Sequence, residues 1–351
     1  MKKIFTRTLL FSFLLIGWQA VAQRPAYRQA DTTIYAGPGV EGQARPRGVV
    51  IRYERLPSFD IESESDDPRI GNGEGHVRRH NKFSVSAAAP LINRPQTKLI
   101  IGFGYELEEF NFEDLDDNSY SLYRYLEDKN MKSISLQLAY QHSLDERKFY
   151  IIRVKGELNG DYTRDDINIS DYLKTTVDLA YGWSLSPYYS IGIGVQYGYI
   201  FGRQRIYPGL LYNRTFNPKW GIEAIAPAAA RVRYNANDKT LFYAGYRLEG
   251  SSYNIYADET DLQQFGDIEL RRTDIKGLLR MEREIYDFLW FAVEGGFRQY
   301  YNHRVFEDVG TSDDELIEND LAGAGFVEVE LYLVAPRKWL EKGQVRKGPG
   351  R

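Results

Sequence analysis

The sequence contains no cysteine and only three methionines among its 351 residues. Without cysteine, neither a disulfide nor a thiolate metal site can hold the fold together. After residue 22 no segment approaches eighteen consecutive apolar residues, which excludes a further transmembrane helix. A large excess of one charge is also missing, since 45 basic and 49 acidic side chains give a net charge of −4. We therefore expect no nucleic-acid partner.

The N terminus carries the pattern of a secretory signal peptide. Three basic residues precede or interrupt the start of an apolar run over residues 9–21, and Ala-Val-Ala at 20–22 forms a small-residue cleavage site. The alternative is a single membrane anchor, but the run is short for one, so we expect residues 1–22 to be removed. The mature chain then has 42 basic and 49 acidic side chains, a net charge of −7.

Apolar and polar residues alternate along most of the remaining chain. In residues 189–201 the large apolar side chains fall on one face of an extended chain, whereas a helix would scatter them. The alternation is clear over residues 99–107, 134–140, 150–158, 177–185 and 327–333, and weaker over 46–56, 79–89, 207–215, 219–227, 229–236, 239–249, 268–284 and 288–301. These segments predict about fourteen strands.

The connections between these segments are of two lengths. Short links fall near residues 90–96, 143–147, 186–188, 216–218, 236–238 and 285–287, and longer acidic links near 57–78, 111–130, 160–171, 250–267 and 302–321. The two kinds largely alternate, as in membrane barrels with tight periplasmic turns and long external loops. A mean hydropathy of −0.48 is compatible with this, because only alternate residues meet lipid. We predict an all-β protein, a transmembrane antiparallel up-and-down β-barrel of about 12–14 strands.

The domain organisation follows from composition. Residues 23–45 are polar with interspersed proline and glycine, which predicts a flexible periplasmic lead-in. The barrel is expected to cover residues 46–335. Residues 336–351 are rich in lysine and arginine and predict a solvated basic tail.

Charged residues recur on the faces of the strands that point away from lipid. Burying them unpaired would be costly, so they either pair across strands and fill the barrel, or line a water-filled lumen. Closure of the barrel predicts that Arg52 lies near Glu328 or Glu330. The predicted lumen-facing charges are Arg52, Glu54, Arg153, Lys155, Glu157, Asp178, Arg231, Arg233, Arg280, Glu282, Glu294, Arg298, Glu328 and Glu330.

No motif predicts a catalytic residue, a metal site or a cofactor. His76 and His80 have a spacing that suits metal only on a helix, and they are interpreted as part of a solvated loop. His142 and Ser143 are neighbours on a strand and should point to opposite faces, which separates a base from a nucleophile. Residues 114–118 resemble the start of a calcium loop but lack its later glycine and glutamate.

Two stretches, residues 83–90 leading into 98–105 and residues 220–246, resemble an uncharacterised outer-membrane β-barrel family of Gram-negative bacteria, a domain of unknown function. The resemblance implies the fold, the cell outer membrane as location, contact with outer-membrane lipid and lipopolysaccharide, and the barrel assembly machinery as a partner during biogenesis. One departure is that the chain does not end on an aromatic residue. The assembly signal is therefore expected to be internal, with Tyr332 and Trp339 as candidates.

The sequence predicts a non-enzymatic outer-membrane protein, either a narrow passive channel or a structural component. An outer-membrane lipid-modifying enzyme is the first alternative. A surface binding module is the second, built from the acidic external loops together with Tyr120, Tyr123 and Tyr125. The sequence identifies no soluble partner.

Overall fold

The structure, a computed structural model, describes residues 35–116, 119–162, 169–198, 205–257, 260–307 and 314–339. The expected signal peptide, residues 23–34 of the lead-in and residues 340–351 of the tail lie outside these ranges. The strands are β1 Arg47–Leu56, β2 Phe59–Glu64, β3 Gly73–Asn93, β4 Thr97–Phe112, β5 Met131–Ser143, β6 Lys148–Gly160, β7 Leu173–Ser186, β8 Tyr189–Gly198, β9 Arg205–Thr215, β10 Trp220–Ala226, β11 Ala229–Asn237, β12 Thr240–Tyr256, β13 Asp267–Tyr286, β14 Leu289–Glu307, β15 Glu315–Leu321 and β16 Ala324–Val334. Two helices, α1 Ser121–Lys129 and α2 Ile169–Tyr172, and a 3-10 helix at Thr260–Phe265 lie between strands.

These strands close into a ring. From β3 to β14 each strand pairs antiparallel with the next, and β1 pairs with both β3 and β16. Strands β2 and β15 continue β1 and β16 beyond short interruptions, and they pair with each other. The ring therefore has fourteen positions, and the predicted antiparallel barrel is confirmed. No helix among the described residues is long and apolar enough to cross a membrane.

Each strand separates a lipid-type face from a polar face, as the alternation predicts. On β16, Val327, Val329, Leu331 and Leu333 point outward and are 40 to 55% exposed. Between them, residues 326, 328, 330 and 332 point into the barrel and are at most 3% exposed. Apolar side chains turned toward solvent along a whole strand indicate a surface that meets hydrocarbon.

Aromatic and polar rows mark the two edges of this apolar belt. At the end of the short turns, exposed aromatic rings form a girdle that includes Tyr188, Phe216, Trp220, Tyr286 and Phe288. At the other end, Tyr53, Phe83 and Leu107 lie opposite one another on β1, β3 and β4, and the next outward row is Arg55, Asn81 and Glu109. Such girdles are typical of barrels that span a bilayer. The two ends are called the short-turn end and the long-loop end below.

The long-loop end is more ordered than the sequence analysis expects. Most of residues 57–78, 250–267 and 302–321 were expected to be loops, but they include β2, the start of β3, the ends of β12 and β14, and β15. The reason is that inward apolar residues such as Ile61, Val77 and Ile317 continue the alternation above the belt and are buried. The end of β12 also leans across the barrel, where Asn254 pairs with Gly160 of β6.

A hydrophobic core fills one side of the long-loop end. Its members come from β1–β5, from β12–β16, from α1 and from the connections beside them. Helix α1 presents Leu122, Tyr123 and Leu126, each at most 1% exposed, to this core. Because Tyr123 and Tyr125 are buried here, the interpretation of these tyrosines as an external binding surface is wrong.

Candidate functional site

The lumen brings the predicted inward-facing charges together as ion pairs. Every one of the fourteen has a partner of opposite charge. The pairs are Arg52 with Glu328 and Glu330, Glu54 with Lys276 and Arg298, Arg153 with Asp178, Lys155 with Glu157, Arg231 and Arg233 with Glu223, Arg280 with Glu282, Glu294, Glu328 and Glu330, and Arg298 with Asp274.

The densest group lies where the first and last strands meet, and we call it the central cluster. It consists of Arg47, Arg52, Arg247, Arg280, Glu282, Glu294, Glu328 and Glu330. Arg280 is its hub, with carboxylate oxygens of Glu282 at 2.8 Å and Glu330 at 2.9 Å. Charges removed from water are stable only with such multiple pairing.

Closure produces the expected contact of Arg52. Its Nε lies 3.2 Å from Glu328 Oε1, and its Nη2 lies 3.1 Å from Glu330 Oε2. Glu330 also accepts hydrogen bonds from Arg47 and Arg280. Closure alone predicts that exchanging either charge of the Arg52–Glu330 pair destabilises the barrel and that exchanging both restores it. Three arginines share this carboxylate, however, so an arginine at position 330 would face Arg47 and Arg280, and the double exchange is not expected to restore stability.

A second buried group lies above the central cluster. Glu108 accepts hydrogen bonds from His80 Nε2, at 2.5 Å, and from both Nη atoms of Arg272, with Nη2 at 2.5 Å. The Tyr253 hydroxyl donates to the same carboxylate at 3.2 Å. His80 stacks on Phe110 and is fully buried, so its placement in a solvated loop was wrong.

Glu108→Gln is expected to lower the free energy of unfolding by about 3–5 kcal/mol, since Arg272 then keeps its charge in the barrel without a carboxylate. Adding Arg272→Met should recover part of the loss, because the uncompensated charge is removed. Urea unfolding of the lipid-reconstituted protein would measure both. Glu109→Gln, one residue along on the exposed outward face, is the control. Equal effects of the two single substitutions would contradict the assignment.

The side of the lumen that faces β4–β9, away from the central cluster, is filled less densely. Inward positions of β4–β9 carry small residues, among them Gly104, Ser135, Ala180, Gly194 and Gly209, and each keeps part of its surface accessible. Charged side chains that border this space are also partly exposed, with 22% for Lys155 and 21% for Glu157. This side is a polar space inside the wall, and Lys155 and Glu157 on its border pair with each other.

Several lumen residues escaped the sequence analysis. They are Arg47, Lys82, Glu106, Glu108, Lys174, Glu223, Arg247, Glu249, Glu269, Arg272, Asp274 and Lys276. Alternation already placed Glu106 and Glu108 on the face opposite the apolar one, so that signal was present. Asp274 lies where β13 is buried on both faces, and alternation gives no signal there, whereas Lys276 lies on the same face as Arg280 and could have been identified.

Residues 35–45 lie inside the barrel at the short-turn end, which corrects the expectation of a flexible chain for this part of the lead-in. Ala36 and Val40 are at most 2% exposed, and Ala36 packs against Phe149, Ile151 and Leu211. The Glu41 amide donates to the Pro187 carbonyl at 2.9 Å. Few side chains are needed for this packing, which explains why composition suggested a linker. We call residues 35–45 the inner segment.

Side chains of the wall donate to the carbonyl oxygens of the inner segment. The donors stand at inward positions of β5, β8, β9 and β11. The hydrogen bonds are Ser143 Oγ to Ala36 O at 2.6 Å, Ser190 Oγ to Gly37 O at 3.3 Å, Asn213 Nδ2 to Pro38 O at 2.8 Å, Thr215 Oγ1 to Glu41 O at 2.6 Å, Arg233 Nη2 to Glu41 O at 3.5 Å and Asn235 Nδ2 to Gly42 O at 3.1 Å.

Two arginines form ion pairs at the short-turn end: Arg45, the last residue of the inner segment, and Arg337, which follows β16. Arg45 lies 3.1 Å from Asp287 and 3.3 Å from Glu284, and Arg337 lies 2.6 Å from each of the same carboxylates. Desolvation opposes ionisation of Asp287, but the Arg337 amide and the two guanidiniums hold the pKa of this carboxyl below its ordinary value. The chain before β1 and the chain after β16 are thus both held by ion pairs to the turn between β13 and β14.

The residues weighed for catalysis do not converge. His142 faces outward between Tyr140 and Tyr150, with its Nδ1 2.9 Å from Thr97 Oγ1. Ser143 faces inward and donates to the inner segment. Among the described ranges there is no group of three or more His, Asp or Glu side chains arranged to hold a metal ion. Of the acidic stretch 114–118, residues 117 and 118 lie outside those ranges.

The chain is similar to several solved outer-membrane proteins. The chain resembles an outer membrane channel from Pseudomonas putida F1, with 11% identity, a TM-score of 0.40 and coverage of 84% of this chain and 98% of that one. It also resembles a Pseudomonas aeruginosa FadL homologue, with 8% identity, a TM-score of 0.42 and coverage of 82% and 90%. The Escherichia coli outer membrane phospholipase A matches with 10% identity, a TM-score of 0.33 and coverage of 79% and 89%.

The search of curated proteins gives no match. A family model described as a domain of unknown function, DUF6268, matches residues 108–312, more than half of the chain. The matched part runs from the end of β4 through the β14 strand and includes most of the lumen wall. The resemblance to an uncharacterised barrel family is thereby confirmed, and the chain belongs to the DUF6268 family.

Proposed function

We propose that the protein is a non-enzymatic barrel of the outer membrane that conducts small hydrophilic solutes through the less densely filled side of its lumen. The carrying observation is that charged side chains on this side of the lumen remain partly exposed, with 22% for Lys155, 21% for Glu157 and 20% for Glu106. A barrel filled only for stability has no need of hydrated charges, since apolar packing stabilises as well or better.

The shape of the interior supports a narrow route rather than a wide pore. The hydrophobic core of the long-loop end belongs to β1–β5 and β12–β16. On the other side, β10 and β11 are short, with seven and nine residues against twenty in β13. At the long-loop end the wall therefore projects least at β10 and β11, next to the small inward residues of β8 and β9. The inner segment restricts the route at the short-turn end, which we place in the periplasm.

Insertion into planar bilayers tests the proposal. The wild-type protein is expected to give small, stepwise conductance, because a charged, hydrated lumen lowers the barrier to ions. Lys155→Glu should shift the ion preference toward cations several-fold, since it turns a neutral pair with Glu157 into two negative charges. Lys148→Glu, exposed at the start of the same strand, is the control. Folded protein that never conducts, with or without the inner segment, would contradict a channel.

The absence of catalysis is part of the proposal and has its own test. His142 and Ser143 point to opposite faces of β5, so neither can activate the other. Folded protein in vesicles of labelled phospholipid is expected to release no fatty acid. Release that scales with the amount of folded protein would instead favour a lipid-modifying enzyme. We place outer-membrane lipid and lipopolysaccharide against the apolar belt, and the barrel assembly machinery as the partner during insertion.

A further inference from the structure

We infer that the wall around the inner segment is a peptide-binding groove that recognises an extended, glycine- and proline-rich chain through its backbone carbonyls. Five of the carbonyls of residues 36–42 accept a hydrogen bond from a wall side chain. These donors stand on β5, β8, β9 and β11, in that order around the barrel. Side-chain donors aimed at the carbonyls of residues 36–38 and 41–42 recognise the main chain of the bound segment rather than its side chains.

The ligand contributes little besides its backbone. Gly37, Gly39 and Gly42 have no side chain to offer, and the buried side chains of Ala36, Pro38 and Val40 are apolar and short. Gly42 has a φ of +85°, which favours glycine, and a Cβ there would lie 3.0 Å from Arg233 Nη2. The groove therefore selects small residues where the chain approaches the wall most closely.

The wall is built around these contacts. Arg233 is fully buried, and its charge is balanced by Glu223 at 2.9 Å while it also donates to Thr215 Oγ1 at 2.7 Å. Gly221 leaves room for it, since a Cβ at that position would lie 2.6 Å from Arg233 Nη2. Buried donors such as Asn213 need an acceptor inside the barrel, and the peptide carbonyls supply it.

Binding of this kind does not depend on covalent connection to the barrel. The same peptide supplied separately should occupy the groove whenever the chain's own segment is displaced. The inference deepens the proposed function, because an exchangeable occupant would regulate conductance, and that part rests on the proposal of a channel. Peptide binding itself can be measured without any conductance.

The experiment uses the full chain with its own segment displaced by Val40→Asp and Gly42→Val. A buried carboxylate and a side chain at positive φ both disfavour the seated conformation. Folding is checked by heat-modifiable gel migration. A fluorescent peptide with the sequence of residues 35–45 is then titrated in detergent, and saturable binding is expected by fluorescence anisotropy.

Wall variants locate the site. Asn213→Leu with Thr215→Val should weaken peptide binding about thirtyfold, because two hydrogen bonds to carbonyls are lost. Gln137→Leu with Thr176→Val is the matched control. Gln137 lies six residues before Ser143 on β5, roughly 20 Å along the strand. The control pair should bind the peptide as the displaced variant does.

The outcomes separate the two proposals. Binding that is absent, or that is equal in both pairs of wall variants, would overturn the groove even if the displaced variant conducts well. Binding that is lost only in the Asn213 and Thr215 pair would establish the groove even if no variant conducts. In bilayers, the peptide should reduce the conductance of the displaced variant when added to the short-turn side and leave it unchanged from the other side.

Discussion

Replacing Arg280 with methionine is expected to keep most of the protein from reaching the heat-modifiable folded form. Arg280 pairs with Glu282, Glu294, Glu328 and Glu330, and all four carboxylates are at most 1% exposed. Methionine has a similar length but no charge, so the carboxylates would face one another with less compensation. Breaking a single buried pair costs about 3–5 kcal/mol, and this substitution breaks several contacts at once.

Arg283→Met is the matched control for this substitution. It removes the same side chain from the same strand, three residues away, where Arg283 points outward and is exposed. Gel migration of refolded protein before and after heating gives the folded fraction, and urea titration gives the loss of stability in the part that folds. If Arg280→Met and Arg283→Met fold equally well, the central cluster does not hold the barrel together.

Deleting residues 24–42, directly after the predicted signal peptide, is expected to raise single-channel conductance several-fold. The deletion removes residues 35–42 of the inner segment and with them the hydrogen bonds from Ser143, Asn213 and Thr215. A barrel of fourteen strands is wide enough for a water-filled lumen once such contents are withdrawn. Planar-bilayer recordings at fixed salt would compare it with the wild-type protein.

A second deletion controls for loss of chain as such. Removing residues 340–351 shortens the other end of the chain and removes none of the wall side chains that donate to the inner segment. Its conductance should match that of the wild-type protein. Equal conductance of the wild-type protein and the 24–42 deletion would show that the inner segment does not restrict the route, whatever the size of the lumen.

The fold itself could be predicted to a large extent from the sequence. Alternation over 327–333 gave both faces of β16, and the pairing of Arg52 with Glu328 and Glu330 followed from closure alone. The prediction failed above the apolar belt, where Ile61 and Ile317 continue the strands. Outward residues there are polar because they meet water, so a strand and an acidic loop have the same composition.

The candidate site was less accessible to sequence reasoning. Alternation identifies which charges face inward, yet it cannot tell which carboxylate an arginine reaches, since Arg280 and Glu330 are 50 residues apart. The inner segment was missed for a related reason. Glycine and proline in residues 36–42 are the residues of a linker, and they also suit a chain that is bound through its carbonyl groups.

The sequence by itself determined a period-two pattern, an apolar outer face and charges of both signs on the inner face, because these depend only on what each residue meets across a strand. The tertiary structure decided which charges share a partner, on which side of the lumen space remains, and where the inner segment lies. These features depend on contacts between strands far apart in the chain, and only the closed barrel brings those strands together.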